Sequence, residues 1–152
     1  MKLTAHFALA EFTRSESAKR HGVPNEPTPE HLKNLIVLCE KVLEPIRIKF
    51  GPINISSGYR SKTLNHYIGG SLNSQHCEAK ACDIDMDGMG SVSNKEIFDF
   101  IKDTLEFDQL IYEFGTATNP DWVHVSYNAA KNRKQVLRAL KVNGKTAYAP
   151  YK

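Results

Sequence analysis

The chain has 152 residues, 41% hydrophobic and 24% charged, which is the make-up of one soluble globular domain and not of a disordered segment. Its formal charge is +3 and its pI about 8.7, a mild basic excess that suits an anionic partner such as cell wall or nucleic acid and selects neither. No run approaches the ~18 apolar residues of a membrane span, and three cysteines without regular spacing argue against a disulfide scaffold.

The opening MKLTAHFALAEF carries one lysine, a broken apolar run and an acid at Glu11, which is not the pattern of a secretory signal. Residues 7–21 read as a short helix stopped by Gly22. Three prolines over residues 22–29 make a loop. Thr28 then caps a second helix with Pro29 at its first position. Its apolar face is Leu32, Leu35, Ile36, Cys39, Val42, Leu43 and Ile46. Pro45 is expected to kink or end it. The period then changes. Residues 53–57 alternate like a half-buried strand. Residues 58–75 are rich in Gly, Ser and Asn and read as loop with a helical turn. Residues 81–86 alternate again. Ser93-Asn94-Lys95-Glu96 is a capping-box pattern opening a helix with Ile97, Phe98, Ile101 and Leu105 on one face. Residues 109–114 and 122–127 read as two strands of a hairpin. From Lys131 the chain is basic, with Val136, Leu137 and Leu140 at helical spacing. Helices first and a small antiparallel sheet after them is an α+β order.

Chemistry concentrates in residues 74–88, SQHCEAKACDIDMDG. Three metal readings compete there. Cys77 and Cys82 with His76 lack the second pair that a structural zinc site needs, so the cysteines read as small buried hydrophobes. Asp83-x-Asp85-x-Asp87-Gly88 matches the first half of a calcium loop, but position twelve, which should be Glu, is Asn94. The third reading is a catalytic site of two histidines and one carboxylate, with the fourth position open to water. Strand parity puts Cys82, Ile84 and Met86 on one face and Asp83 on the other, toward a cleft. His6, His21 and His31 lie in the N-terminal helical region and read as surface or capping residues, and His66 sits in a loop. His124 lies in the apolar-flanked strand Trp122-Val123-His124-Val125-Ser126. Spacing alone makes a His76/Asp83/His124 site plausible and takes it no further.

Taken in order, Ser57-Gly58-Tyr59-Arg60-Ser61, Leu64-Asn65, Gly69-Gly70, Ser74-Gln75-His76, Ala81-x-Asp83 and Trp122-Val123-His124-Val125-Ser126 resemble the zinc D-alanyl-D-alanine carboxypeptidase-like peptidases. That grouping includes phage endolysin endopeptidases and shares its fold with the hedgehog signalling domain. The opening His-Phe-x-Leu-x-Glu-Phe-Thr-x-Ser, the Val-Leu-Glu-Pro-Ile-Arg run and Phe107-Asp108-Gln109-Leu110-Ile111-Tyr112-Glu113 fit its small phage and bacterial branch. The likeness spans residues 5–133 of a single domain and leaves 134–152 as a basic tail.

The resemblance implies one zinc ion held by His76, Asp83 and His124. It implies a carboxylate base three residues before the last ligand, which is Asp121 here, with Glu113 on the preceding strand as the alternative. Arg60 matches the arginine that holds a substrate carboxylate or carbonyl oxygen, and Tyr59, Ser74 and Gln75 are expected to line the site. The implied activity is hydrolysis of peptidoglycan stem or cross-link peptides by metal-activated water, as a carboxypeptidase or an endopeptidase. The alternative is a non-catalytic module that binds cell-wall peptide or protein. The expected partner is peptidoglycan peptide rather than nucleic acid or membrane, the expected state a monomer. The expected place of action is the cell wall, reached by lysin-like delivery or an unrecognised export route. One departure stands out: the family commonly has Gly three residues after the first ligand, where this chain has Ala79. A positive φ there would cost alanine about 1 kcal/mol or more.

Overall fold

Ser15 splits the first expected helix in two. In the computed structural model, which describes residues 1–152, α1 is Ala10–Thr13 and α2 is Glu16–His21. Arg14 turns extended, and the Ser15 side chain accepts the Ala18 N–H to cap α2. Gly22 ends α2 with φ +63°, as its position predicts. Thr28 caps α3 (Pro29–Leu38) in a reciprocal box with His31, so that histidine is a capping residue.

Pro45 does not end this helix. A widened π-turn, Cys39–Leu43, precedes it, and the Glu44 N–H reaches back five residues to the Cys39 carbonyl. That extra residue absorbs the bond and the space a proline cannot share, so the chain runs on as α4 (Glu44–Phe50) until Gly51 at φ +85°. The expected apolar face stays in register: Leu35, Cys39, Val42, Leu43 and Ile46 are all fully buried.

The strands are β1 (Ile55–Ser57), β2 (Ala81–Ile84), β3 (Gln109–Glu113), β4 (Trp122–Ser126), β5 (Gln135–Val142) and β6 (Lys145–Pro150); α5 (Lys62–Tyr67) and α6 (Asn94–Thr104) lie between them. One sheet has the order β1-β2-β4-β3-β5-β6. The α+β order holds, but the sheet is mixed and not purely antiparallel, because β5 pairs parallel to β3. The helical spacing read after Lys131 is not realised. Asn143 (φ +52°) and Gly144 (φ +77°) form a two-residue turn in which both central residues are left-handed, the Asn-Gly signature of a hairpin. That turn and the pairing with β3 outweigh a weak helical period in a segment with little apolar surface. No helix is long and apolar enough to cross a membrane.

The sheet has a core face and an open face. Cys82, Ile84, Leu110, Tyr112, Val123 and Val125 pack into the apolar core shared with the α3–α4 helix and α6. The alternate residues form rows on the open face. Asp83, His124, Ile111 and Leu137 stand side by side across four strands, and Trp122, Glu113, Ala139 and Tyr148 form the next row. Rows two residues apart are separated by about 7 Å.

Candidate active site

Asp83 and His124 are direct cross-strand partners in the β2–β4 ladder, so backbone pairing alone sets them side by side. His124 Nδ1 lies 3.1 Å from Asp83 Oδ1. His76 arrives from the turn before β2 and puts Nε2 3.4 Å from the same oxygen. One ligand atom from each of the three lies within 4.8 Å of the other two. Burial opposes the ionised form of Asp83, but the charge of His76 and the hydrogen bonds of both imidazoles hold its carboxyl well below the usual range.

His76 Nδ1 sits 2.7 Å from the Gly58 carbonyl oxygen. A carbonyl only accepts, so Nδ1 carries a proton, and Nε2, which faces Asp83, is the nitrogen that a cation would take once its own proton is displaced. Gly58 is itself wedged against α1: a Cβ there would fall 2.6 Å from Phe12 Cα. The Tyr59 N–H donates to the Phe12 carbonyl at 2.7 Å. The Asn25 amide ties Thr13, Tyr59 and Ser61 together. The Arg60 N–H donates to the His76 carbonyl at 3.2 Å. The N-terminal helices thus hold the loop that orients the first histidine.

Two imidazoles and a carboxylate converging on the floor of an open cavity fit a divalent ion of zinc type. The rival ligand sets are taken apart. Asp85 Oδ1 accepts from the Asp87 N–H and from Asn94 Nδ2, and buried Asn94 also donates to the Pro120 and Asp121 carbonyls. That asparagine, at position twelve of the would-be calcium loop, is a brace between two loops. All three cysteines are free and buried. Ala79 does take φ +59°, with its methyl fully buried.

The cavity measures about 900 Å³ and includes Arg60, Ser74, Gln75 and Glu113 around the three ligand candidates. Arg60 Nη2 donates to Ser74 Oγ at 3.3 Å, while its Nε is buried without a protein acceptor. The structure separates the two candidate acids. Glu113 is buried beside His124 and Asp83, on the open face of the sheet. Burial pushes its carboxyl up to about 7, against the pull of the His124 imidazole and with the help of the Asp83 charge. Asp121 is exposed and lies outside the cavity lining; its N–H donates to the Glu113 carbonyl at 2.9 Å. Tyr59 also departs from expectation. Its ring is buried in the core against His31, and it does not line the cavity.

Several lining residues escaped the sequence reading. Trp122 and Phe114 stack edge to face at 5.5 Å on one wall. Gln109, Gln135, Leu137 and Tyr148 extend the floor, and Arg133 stands at its edge. The Asn-Gly dipeptide would have flagged the hairpin that brings Gln135 and Tyr148.

No curated protein matches the chain. The family model described as Peptidase M15 matches residues 5–126, from ahead of α1 to the last residue of β4, and so takes in all three ligand candidates, Arg60 and Glu113. The chain belongs to the Peptidase M15 family.

Proposed function

We propose that this chain is a zinc-dependent peptidase that hydrolyses the stem or cross-link peptides of peptidoglycan, with His76, Asp83 and His124 as the metal ligands and Glu113 as the general base. The observation that carries the reading is Glu113: a carboxyl buried in the cavity beside the three convergent ligand candidates. A carboxylate held next to the metal site is what general-base hydrolysis requires.

A bound zinc ion would supply Lewis acidity, polarising the scissile carbonyl and lowering the pKa of water toward about 7. The rest is the work of the chain. Glu113 takes the proton of the attacking water and delivers it to the departing amine. The Gly58 carbonyl keeps the His76 proton on Nδ1 and so keeps Nε2 available. Arg60, steadied by Ser74, holds a substrate carboxylate or carbonyl oxygen with a fork of fixed charge. Trp122 and Phe114 wall one side. Action on the cell wall, by lysin-like delivery, follows from the same reading.

Mass spectrometry of peptidoglycan digested with the zinc-loaded protein tests it. Release of stem-peptide fragments is expected, and the masses name the bond cut. An inert protein that still binds muropeptide points instead to a binding module.

A further inference from the structure

A second guanidinium stands in the same cavity, at the end away from Glu113. Arg133 Nε and Nη2 bond Asp108 Oδ1 and Oδ2 at 2.9 and 3.1 Å, and the Arg133 N–H reaches Oδ1 at 2.9 Å. Gln75 Nε2 donates to Asp108 Oδ2 at 2.8 Å. The Asp108 side chain is 4% exposed and that of Arg133 53%. The acid is therefore a buried post, and the guanidinium is a fixed fork held at the edge of open space. A guanidinium carries five N–H donors. Two go to Asp108, and no protein group takes the remaining three.

The backbone here is strained for this placement. Lys134 adopts φ +54°, a left-handed conformation that costs a non-glycine residue about 1 kcal/mol or more. It is held there by the Lys134 N–H on the Phe107 carbonyl and the Gln135 N–H on the Asp108 carbonyl, both at 3.0 Å. Gln135 follows at once. Its Oε1 accepts from Gln109 Nε2 at 2.9 Å, which turns the amide so that its own N–H groups stay free. Gln109 and Gln135 stand one row, about 7 Å, from the row of Asp83 and His124. An extended peptide covers that distance in about two residues. Every charged side chain from residue 131 to 152 is basic, so no fixed acid on this segment repels an anion.

We propose that Arg133 and Gln135 form a second carboxylate-binding subsite, which selects peptides with a free carboxylate inside the chain, one or two residues from the bond that is cut. The γ-linked glutamate of a peptidoglycan stem carries such a group. The inference rests on the peptidase reading for the cleavage, and on the cavity alone for the binding. Both residues lie beyond the part of the chain matched by the family model, Arg133 just before β5 and Gln135 at its start. A peptide's C-terminal carboxylate has the same chemistry, and the two sources are separable.

The test uses the full chain, zinc-loaded, with Glu113→Gln to prevent turnover. Calorimetry compares L-Ala-γ-D-Glu-L-Lys-D-Ala with two relatives: one with the glutamate carboxylate as carboxamide, one with a C-terminal amide. The free glutamate acid is expected to bind about tenfold more tightly than its carboxamide, the size of one charge-assisted hydrogen bond. The C-terminal amide should matter less. In the R133K background, which keeps a charge opposite Asp108 but loses the fork, the tenfold gap should fall below about threefold; Gln135→Ala should narrow it as well. Equal binding of acid and glutamate carboxamide by the parent protein overturns the proposal, as does an undiminished gap in both variants. Selectivity lost only with the C-terminal amide also overturns it. Hydrolysis by the unmutated protein separates the two levels. Acid-selective binding without any cleavage sinks the peptidase reading and leaves the subsite standing. Cleavage of acid and carboxamide at equal kcat/KM does the reverse.

Discussion

Asp83 and His124 face each other across one rung of the β2–β4 ladder, Oδ1 to Nδ1 at 3.1 Å. Two of the three proposed ligands are thus as rigid as the sheet, and only His76 depends on a loop. A backbone this well set needs only side-chain adjustment to take an ion, so metal binding converts into stability. Zinc at 100 times its Kd should stabilise the chain by about 2.7 kcal/mol and raise Tm by roughly 5–10 °C. Scanning fluorimetry with added zinc reads this. His76→Ala and His124→Ala should abolish the rise, and an equal rise in His124→Ala would remove that residue from the site.

The two acids make opposite predictions. Glu113→Gln should lower kcat by about 10²–10⁴-fold while zinc content stays at one per chain. Asp121→Asn should stay within a few-fold of the parent, because its side chain is exposed and outside the cavity. Muropeptide turnover with metal analysis on the same samples decides. The reverse pattern would return the role to Asp121.

Gly58→Ala should be severe for a position that touches no substrate. The new Cβ would lie 2.6–2.8 Å from Phe12 backbone and side-chain atoms, so the loop or α1 must move. Moving the loop displaces the carbonyl that fixes the His76 tautomer. We expect a loss of about 1–3 kcal/mol in denaturant unfolding, with zinc affinity at least tenfold weaker. Unchanged zinc affinity would show that His76 orients itself without Gly58.

Acid sensitivity of the metal-free protein should trace to Asp108 and Asp83 together, and Asp108 is the part that can be tested away from the metal site. Its carboxyl is held down at about 2, chiefly by the Arg133 hydrogen bonds, with further donors in the Arg133 N–H and Gln75 outweighing burial. A lowered folded pKa stabilises above the unfolded value, near 4, and that stability is lost as pH falls toward 2. The shift is worth roughly 2 kcal/mol. Glu113 runs the other way in metal-free protein. Its raised pKa favours the folded state below about 4.5, and the advantage disappears as pH climbs through about 7. Urea unfolding of metal-free protein across this range should show both slopes. Asp108→Asn should flatten part of the acid limb and Glu113→Gln the neutral one.

Ala79→Gly should change stability by less than about 1 kcal/mol. Relief of the φ +59° strain is worth about 1–2 kcal/mol. Against it stand a lost buried methyl of about 0.8 kcal/mol and the larger unfolded-state entropy of glycine, about 0.4–1 kcal/mol. A stabilisation above 2 kcal/mol in chemical denaturation would mean that the methyl packs poorly.

Much of this molecule is written locally. The Thr28 and Ser93 caps, the stop at Gly22 and the alternation that puts Asp83 opposite Cys82 and Ile84 arise from residues within a few positions of one another, and they reappear in the structure. The ordered motifs likewise led to His76, Asp83 and His124 without coordinates. What only the tertiary structure decided depends on partners far apart in the chain. Glu113 and Asp121 look alike as carboxylates, and cavity burial separates them. The π-turn before Pro45 is chosen because the helix face must stay in the core. The C-terminal strands form because β3 has a free edge and Asn143-Gly144 turns the chain, while their own apolar period points weakly to helix. Periods and caps record backbone geometry, which neighbouring residues set. Register, burial and charge pairing record which distant segments meet, and for Glu113, Gly58 and Arg133 that meeting makes the chemistry.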